Sequence, residues 1–168
     1  MEKRIFEFSR LQLWDYITIG LYLVLTIYIH LTFTKDTFPS YANLLIFGYI
    51  FGTMMFNYLF NYKSLRNMTV FSIWILFGLY HFWLFKHLEN VKEMYYDSRH
   101  IAYGLKYSIV VLVIQQIFRF SYIKLTNMEL VAPVKGGGTD IFDNRYPNIL
   151  DFAFFALYVF IIVGIGFI

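Results

Sequence analysis

Apolar side chains run in long blocks along this chain, with short polar clusters between them. Residues 16–34 contain no Asp, Glu, Lys or Arg, and the same holds for 37–62, 67–85 and 152–168. About 20 helical residues, at roughly 1.5 Å each, cross the ~30 Å hydrocarbon core of a bilayer, so each block is long enough to span. A fifth block, Ile101–Ile123, is equally apolar but carries Lys106 and Arg119 within it. The pattern predicts an all-α, polytopic transmembrane helical bundle. Five spans are favoured, at about 15–33, 42–61, 68–85, 103–123 and 149–168, in a single membrane domain covering 1–168. Extramembrane loops are expected at 87–100 and 124–148. A four-span alternative leaves 101–123 beside the membrane.

Inside the blocks the polar residues recur at helical spacing. Asp15, Thr18, Tyr22, Thr26 and His30 form one row, Thr53, Asn57 and Asn61 a second. Ser108, Gln115 and Arg119 form a third, on the same face as Gly104 and Tyr122. A polar group turned to hydrocarbon costs several kcal/mol, so such rows face other helices or water. Asp15, Thr18, Tyr22, Thr26, Thr53, Asn57, Asn61, Ser108, Gln115 and Arg119 are therefore the candidates for a pore lining or a polar core. Hydrogen bonding between spans is the plainer reading, at about 0.6 kcal/mol per bond. For Arg119 a specific partner is expected: Asp15, Asp151 or a lipid phosphate. Gly48 and Gly52, four apart, predict a close approach of two helices.

Composition supports lipid as the solvent. Apolar residues make up 59% and charged residues 15%, against roughly 45–50% and 25% in soluble domains. The absence of cysteine excludes disulfides, thiolate metal sites and a cysteine nucleophile. A net charge of +3 is too small to point to nucleic acid. The placement of the positive charges says more. With five spans and the N-terminus inside, nine Lys and Arg fall on the inner side and five on the outer, as the positive-inside rule requires. Moving 101–123 out of the membrane reverses that split. The amphipathic start, Met1–Trp14, is expected to lie at the interface. The block after it is too long for a signal-peptide core, and its exit, TFTKDTFPS, lacks a small-x-small cleavage site. The last span is expected to close the chain.

His30, His81, His87 and His100 are expected near one membrane face, beside Glu89, Glu93 and Asp97. Such ligand types suit zinc or haem, and protonation of the group would sense pH. No HxxxH or ExxH spacing supports a metal, so interfacial packing is favoured and no cofactor is expected. The glycines at 136–138 lack the P-loop order and read as a linker, with Asp140, Asp143, Asp151 and Arg145 available to dock a partner. Arg99–Gly104 (RHIAYG) resembles, over six residues, the RHPxYxG motif of the isoprenylcysteine and phospholipid methyltransferases, which implies an Arg-His pair that binds S-adenosylmethionine. Ile101 replaces the proline, the glycine comes one position early, and the paired C-terminal glutamates of that family are missing. A nucleophilic triad is not visible.

The expected function is non-enzymatic. It is that of a self-associating, homo-oligomeric membrane protein: a channel, a pore-forming effector, or a sensor coupled to a cytosolic partner through 124–148. The alternatives are a membrane enzyme acting on a lipid or quinone through the histidines, and a structural subunit of a larger complex. The richness in Phe, Tyr, Ile, Asn and Lys points to a bacterial inner membrane.

Overall fold

The structure, a computed structural model, describes residues 8–33, 40–96, 99–133 and 145–167. Five long helices form one bundle: α1 (Leu13–Phe33), α2 (Ala42–Leu59), α3 (Met68–Leu88), α5 (Ser108–Thr126) and α6 (Ile149–Phe167), with a single turn, α4 (Tyr103–Lys106), leading into α5. Two 3₁₀ turns, Ser64–Arg66 and Lys92–Met94, and a two-residue antiparallel ladder, Tyr95–Tyr96 with Arg99–His100, complete the described elements.

Burial differs from that of a soluble protein chiefly on the outside. The polar rows face inward: Asp15, Thr18, Tyr22 and Thr26 are all buried, as are Asn57, Asn61, Gln115 and Arg119. Leu21, Val24, Leu44, Leu76 and Phe160 are exposed. An exposed apolar belt around a core that buries polar rows among its apolar side chains is stable only with lipid on the outside. Four helices, α1, α2, α3 and α5, are long and apolar enough to cross a membrane. The count equals that of the four-span alternative, but the four include α5, the segment that the alternative left out. The described apolar part of α6, Ile149–Gly164, is shorter.

Several boundaries shift for local reasons. The span expected at 42–61 ends as a helix at Leu59, because the Phe60 and Asn61 amides both turn back to the Phe56 carbonyl. The span expected at 68–85 runs on to Leu88, with Lys86 and His87 in the last turn, where cations complement the helix dipole. The span expected at 103–123 is broken at Tyr107 into α4 and α5, and α5 continues to Thr126. It stops where Asn127 turns left-handed (φ 55°) and donates its N–H to the Ile123 carbonyl at 2.8 Å. The loop expected at 124–148 thus begins as helix. Its residues 134–144, with the glycines, Asp140 and Asp143, lie outside the described residues, as does Asp97. The Glu89 and Glu93 positions fall in a turn and a 3₁₀ turn, so they share no helix face.

Close packing comes from other glycines than expected. A Cβ on Gly48 or Gly52 would meet nothing within 4 Å. A Cβ on Gly78 would sit 2.7 Å from Ile109, and one on Gly104 2.7 Å from Ile50. Those two sites let α3 approach α5 and α4 approach α2. Gly48 and Gly52 share a face, but no neighbouring helix is pressed against that face. α1 packs chiefly on α3, and α5 packs on α2, α3 and α6.

Candidate functional site: a buried polar core and its clasp

The centre of the core is His81, 1% exposed on α3. Its Nδ1 lies 2.7 Å from the Ser108 hydroxyl at the start of α5. Its Nε2 lies 2.7 Å from the Tyr22 hydroxyl of α1 and 2.9 Å from the Tyr49 hydroxyl of α2. Tyr22 also meets Thr53, and Tyr49 meets Thr26, each at 2.9 Å. One imidazole therefore ties four helices together. Tyr22 and Ser108 come from two of the expected rows and Thr53, behind Tyr22, from the third; Tyr49 belongs to none of them.

One set of donors satisfies the whole group. Thr53 donates to the Tyr49 carbonyl and Tyr22 to Thr53. The Tyr22 and Tyr49 oxygens then share Nε2–H, and Ser108 donates to Nδ1. This neutral arrangement gives the imidazole a partner on both nitrogens. A second proton, on Nδ1, would require the Ser108 hydroxyl to turn and accept.

Toward the end of the bundle where α1 begins, the core continues through amides. Gln115 donates to the Asn57 carbonyl at 3.0 Å, Asn61 to the Asn57 side chain at 3.0 Å, and Gln116 to the Leu65 carbonyl at 2.8 Å. Two spaces among the described residues of this core are about 10 and 20 Å³. A space of ~10–15 Å³ or more holds one water. The larger is lined by Tyr58, Gln115 and Gln116, whose Oη, Oε1 and Oε1 atoms have no protein partner, so it suits a single water.

The partner of Arg119 is neither Asp15 nor Asp151. Arg119 grips Glu129 with two hydrogen bonds, Nε to Oε2 at 2.9 Å and Nη2 to Oε1 at 3.0 Å. Arg66 stands 3.5 Å from the same carboxylate and donates to the Leu130 carbonyl. Asp15 instead accepts the Gln12 amide at 2.7 Å and closes the first turn of α1. Asp151 accepts the Asn148 and Val131 amides and the Arg145 guanidinium. Burial works against the charge on Arg145, but the bonded Asp151 carboxylate more than offsets it and holds the guanidinium above its ordinary range. The result is a clasp. Residues 130–132 are drawn into the end of the bundle and buried there.

Glu129 escapes a reading of the sequence because it sits outside every span. The available signal was a lone carboxylate in an apolar run, Met128–Pro133, ten residues after an embedded arginine.

The four histidines do not converge on one site, although His30 and His87 share Trp83 as a neighbour. His30 lies against Tyr80 and Trp83, and His87 stacks on Trp83. His100 contacts the Leu88 carbonyl at 2.9 Å, between Tyr95 and Tyr103. Among the described residues no group of three or more His, Asp or Glu is placed to hold a metal.

No protein-family model, no curated protein and no solved structure matches the chain. Its class therefore rests on the fold and the core alone. The chain is an integral, multi-pass helical membrane protein with polar rows buried in its core.

Proposed function

We propose that the protein is a five-span membrane sensor with its N-terminus inside, in a bacterial inner membrane. It relays a change in the His81 core to a cytosolic partner that engages the 124–148 segment. The observation that supports this reading is the double attachment of α5. At its first residue, Ser108, the helix bonds His81; at Arg119, eleven residues or about 16 Å further on, it holds Glu129 of the segment that leads out of the membrane. A shift of α5 against α3 moves both contacts together. α6, the most apolar of the long helices, serves as the fifth span, which places nine positive residues inside and five outside.

The sensor reading is preferred to a pore within one copy, because, among the described residues, the spaces beside His81 and beside Gln115 admit single waters rather than a hydrated ion. Hydrogen exchange of the protein in lipid nanodiscs tests it. Ser108→Ala, which removes the α5 contact to His81, is expected to speed exchange over residues 128–132, where the Val131 amide is held by Asp151. Unchanged exchange there would overturn the reading.

A further inference from the structure

Three buried polar atoms at the 20 Å³ space bond to nothing in the protein: the Tyr58 hydroxyl of α2 and the Oε1 atoms of Gln115 and Gln116 of α5. The nitrogens of the two amides are already committed. Gln115 Nε2 donates to the Asn57 carbonyl at 3.0 Å, and Gln116 Nε2 to the Leu65 carbonyl at 2.8 Å. A carbonyl only accepts, so neither amide can be turned round, and each oxygen is left needing a donor. The Tyr58 ring is held in place by stacking on Tyr158, with centroids 4.0 Å apart.

The three groups make one combined demand. Two amide oxygens need a hydrogen each, and the phenol hydrogen needs an acceptor. Water supplies two hydrogens and accepts others, and the space has room for one. Its cover is the segment after α5. Leu130 and Ala132 also line the space, and both are buried. Side chains hold this cover down: Arg66 donates to the Leu130 carbonyl, and Asp151 accepts the Val131 amide. Among the described residues no backbone-to-backbone hydrogen bond fastens 129–132. A segment docked in this way opens at lower cost than a helix.

We propose that the space is a binding site for one resident water, which donates to Gln115 and Gln116 and accepts from Tyr58, and that residues 130–132 are its lid. The water is then a third tie on α5, between those at Ser108 and Arg119. With the lid lifted, the same three groups open to solvent at that end of the bundle. The proposal stands independently of the sensor reading.

A double-mutant cycle in mixed micelles tests the bridge. Tyr58→Phe keeps the ring, Gln116→Met keeps the length, and the Tyr58 hydroxyl and Gln116 Oε1 share no direct hydrogen bond. With a water between them, the effect of the double variant on the unfolding constant falls short of the product of the single effects by roughly fivefold. Effects that simply multiply would overturn the bridge. Melting is expected to be the same in sodium, potassium and choline chloride; stabilisation by one of these cations would overturn it in favour of a bound ion. A single cysteine, Gln116→Cys, tests the lid. Adding Leu130→Ala should raise its rate of reaction with a water-soluble maleimide about tenfold, and an unchanged rate would overturn the lid. Gln115→Cys reports on the same space if Gln116→Cys fails to fold.

Discussion

Arg119 and Glu129 lie on opposite sides of the left-handed turn at Asn127 and are joined by two hydrogen bonds, at 2.9 and 3.0 Å. Their side chains are only 6% and 12% exposed, so the pair escapes the solvent screening that makes surface ion pairs nearly worthless. Two parallel N–H···O bonds fix the direction of the guanidinium as well as its distance. The turn at Asn127 is what brings a residue outside the helix back onto a buried cation.

Breaking this pair on one side strands a buried charge. Glu129→Ala is expected to destabilise the fold by roughly 3–5 kcal/mol. Arg119→Met combined with Glu129→Ala should cost less than the sum of the two single changes, since the double variant leaves neither partner stranded. Unfolding titrations in mixed micelles measure the cycle. Additive losses would mean that the two groups do not interact.

His81 is expected to be the most costly histidine to replace. His81→Phe takes the imidazole from Ser108, at roughly 1–3 kcal/mol for a buried group left without a partner, while Tyr22 and Tyr49 keep Thr53 and Thr26. His81→Gln, which keeps a donor and an acceptor, should recover part of the loss. His87→Phe, whose ring stacks on Trp83 at the rim, should change stability little. Thermal melts of the three variants in one detergent supply the comparison.

The glycines separate by environment. Gly78→Ala and Gly104→Ala each place a methyl 2.7 Å from an isoleucine side-chain carbon and should cost about 1–3 kcal/mol. Gly48→Ala meets open space and should gain up to about 1 kcal/mol through helix propensity. Melting temperatures of the four alanine variants, Gly52→Ala included, test the ranking.

Much of the interior was legible before the fold. A polar residue every fourth position, on blocks otherwise fit for lipid, has to face inward, and Tyr22, Thr26, Thr53, Asn57 and Gln115 all do. What those residues bond was not legible, because partners such as Ser108 and His81 are 27 residues apart and meet only through helix packing. The glycine pair misleads for a related reason. Spacing shows that Gly48 and Gly52 share a face, but not whether a helix stands against it. The break at Tyr107 carries no proline or glycine at the bend to announce it.

The start of α6 illustrates a signal that spacing did contain. Asn148 accepts the Leu150 and Asp151 amides, and Asp151 accepts the Asn148 amide in return. This is a capping box built from Asn and Asp. Asn148→Ala should cost about 1 kcal/mol and accelerate exchange at the Leu150 and Asp151 amides, with little change beyond the first turn of α6.

That α5 passes through the bilayer is the premise on which the sidedness and the sensor reading both stand. The chain has no cysteine, so single cysteines report cleanly. Lys92→Cys lies before α5, and Met128→Cys just after it; both positions are exposed. A membrane-impermeant maleimide applied to intact cells should label the first and spare the second until the membrane is opened. Labelling of both from the same side would contradict the account.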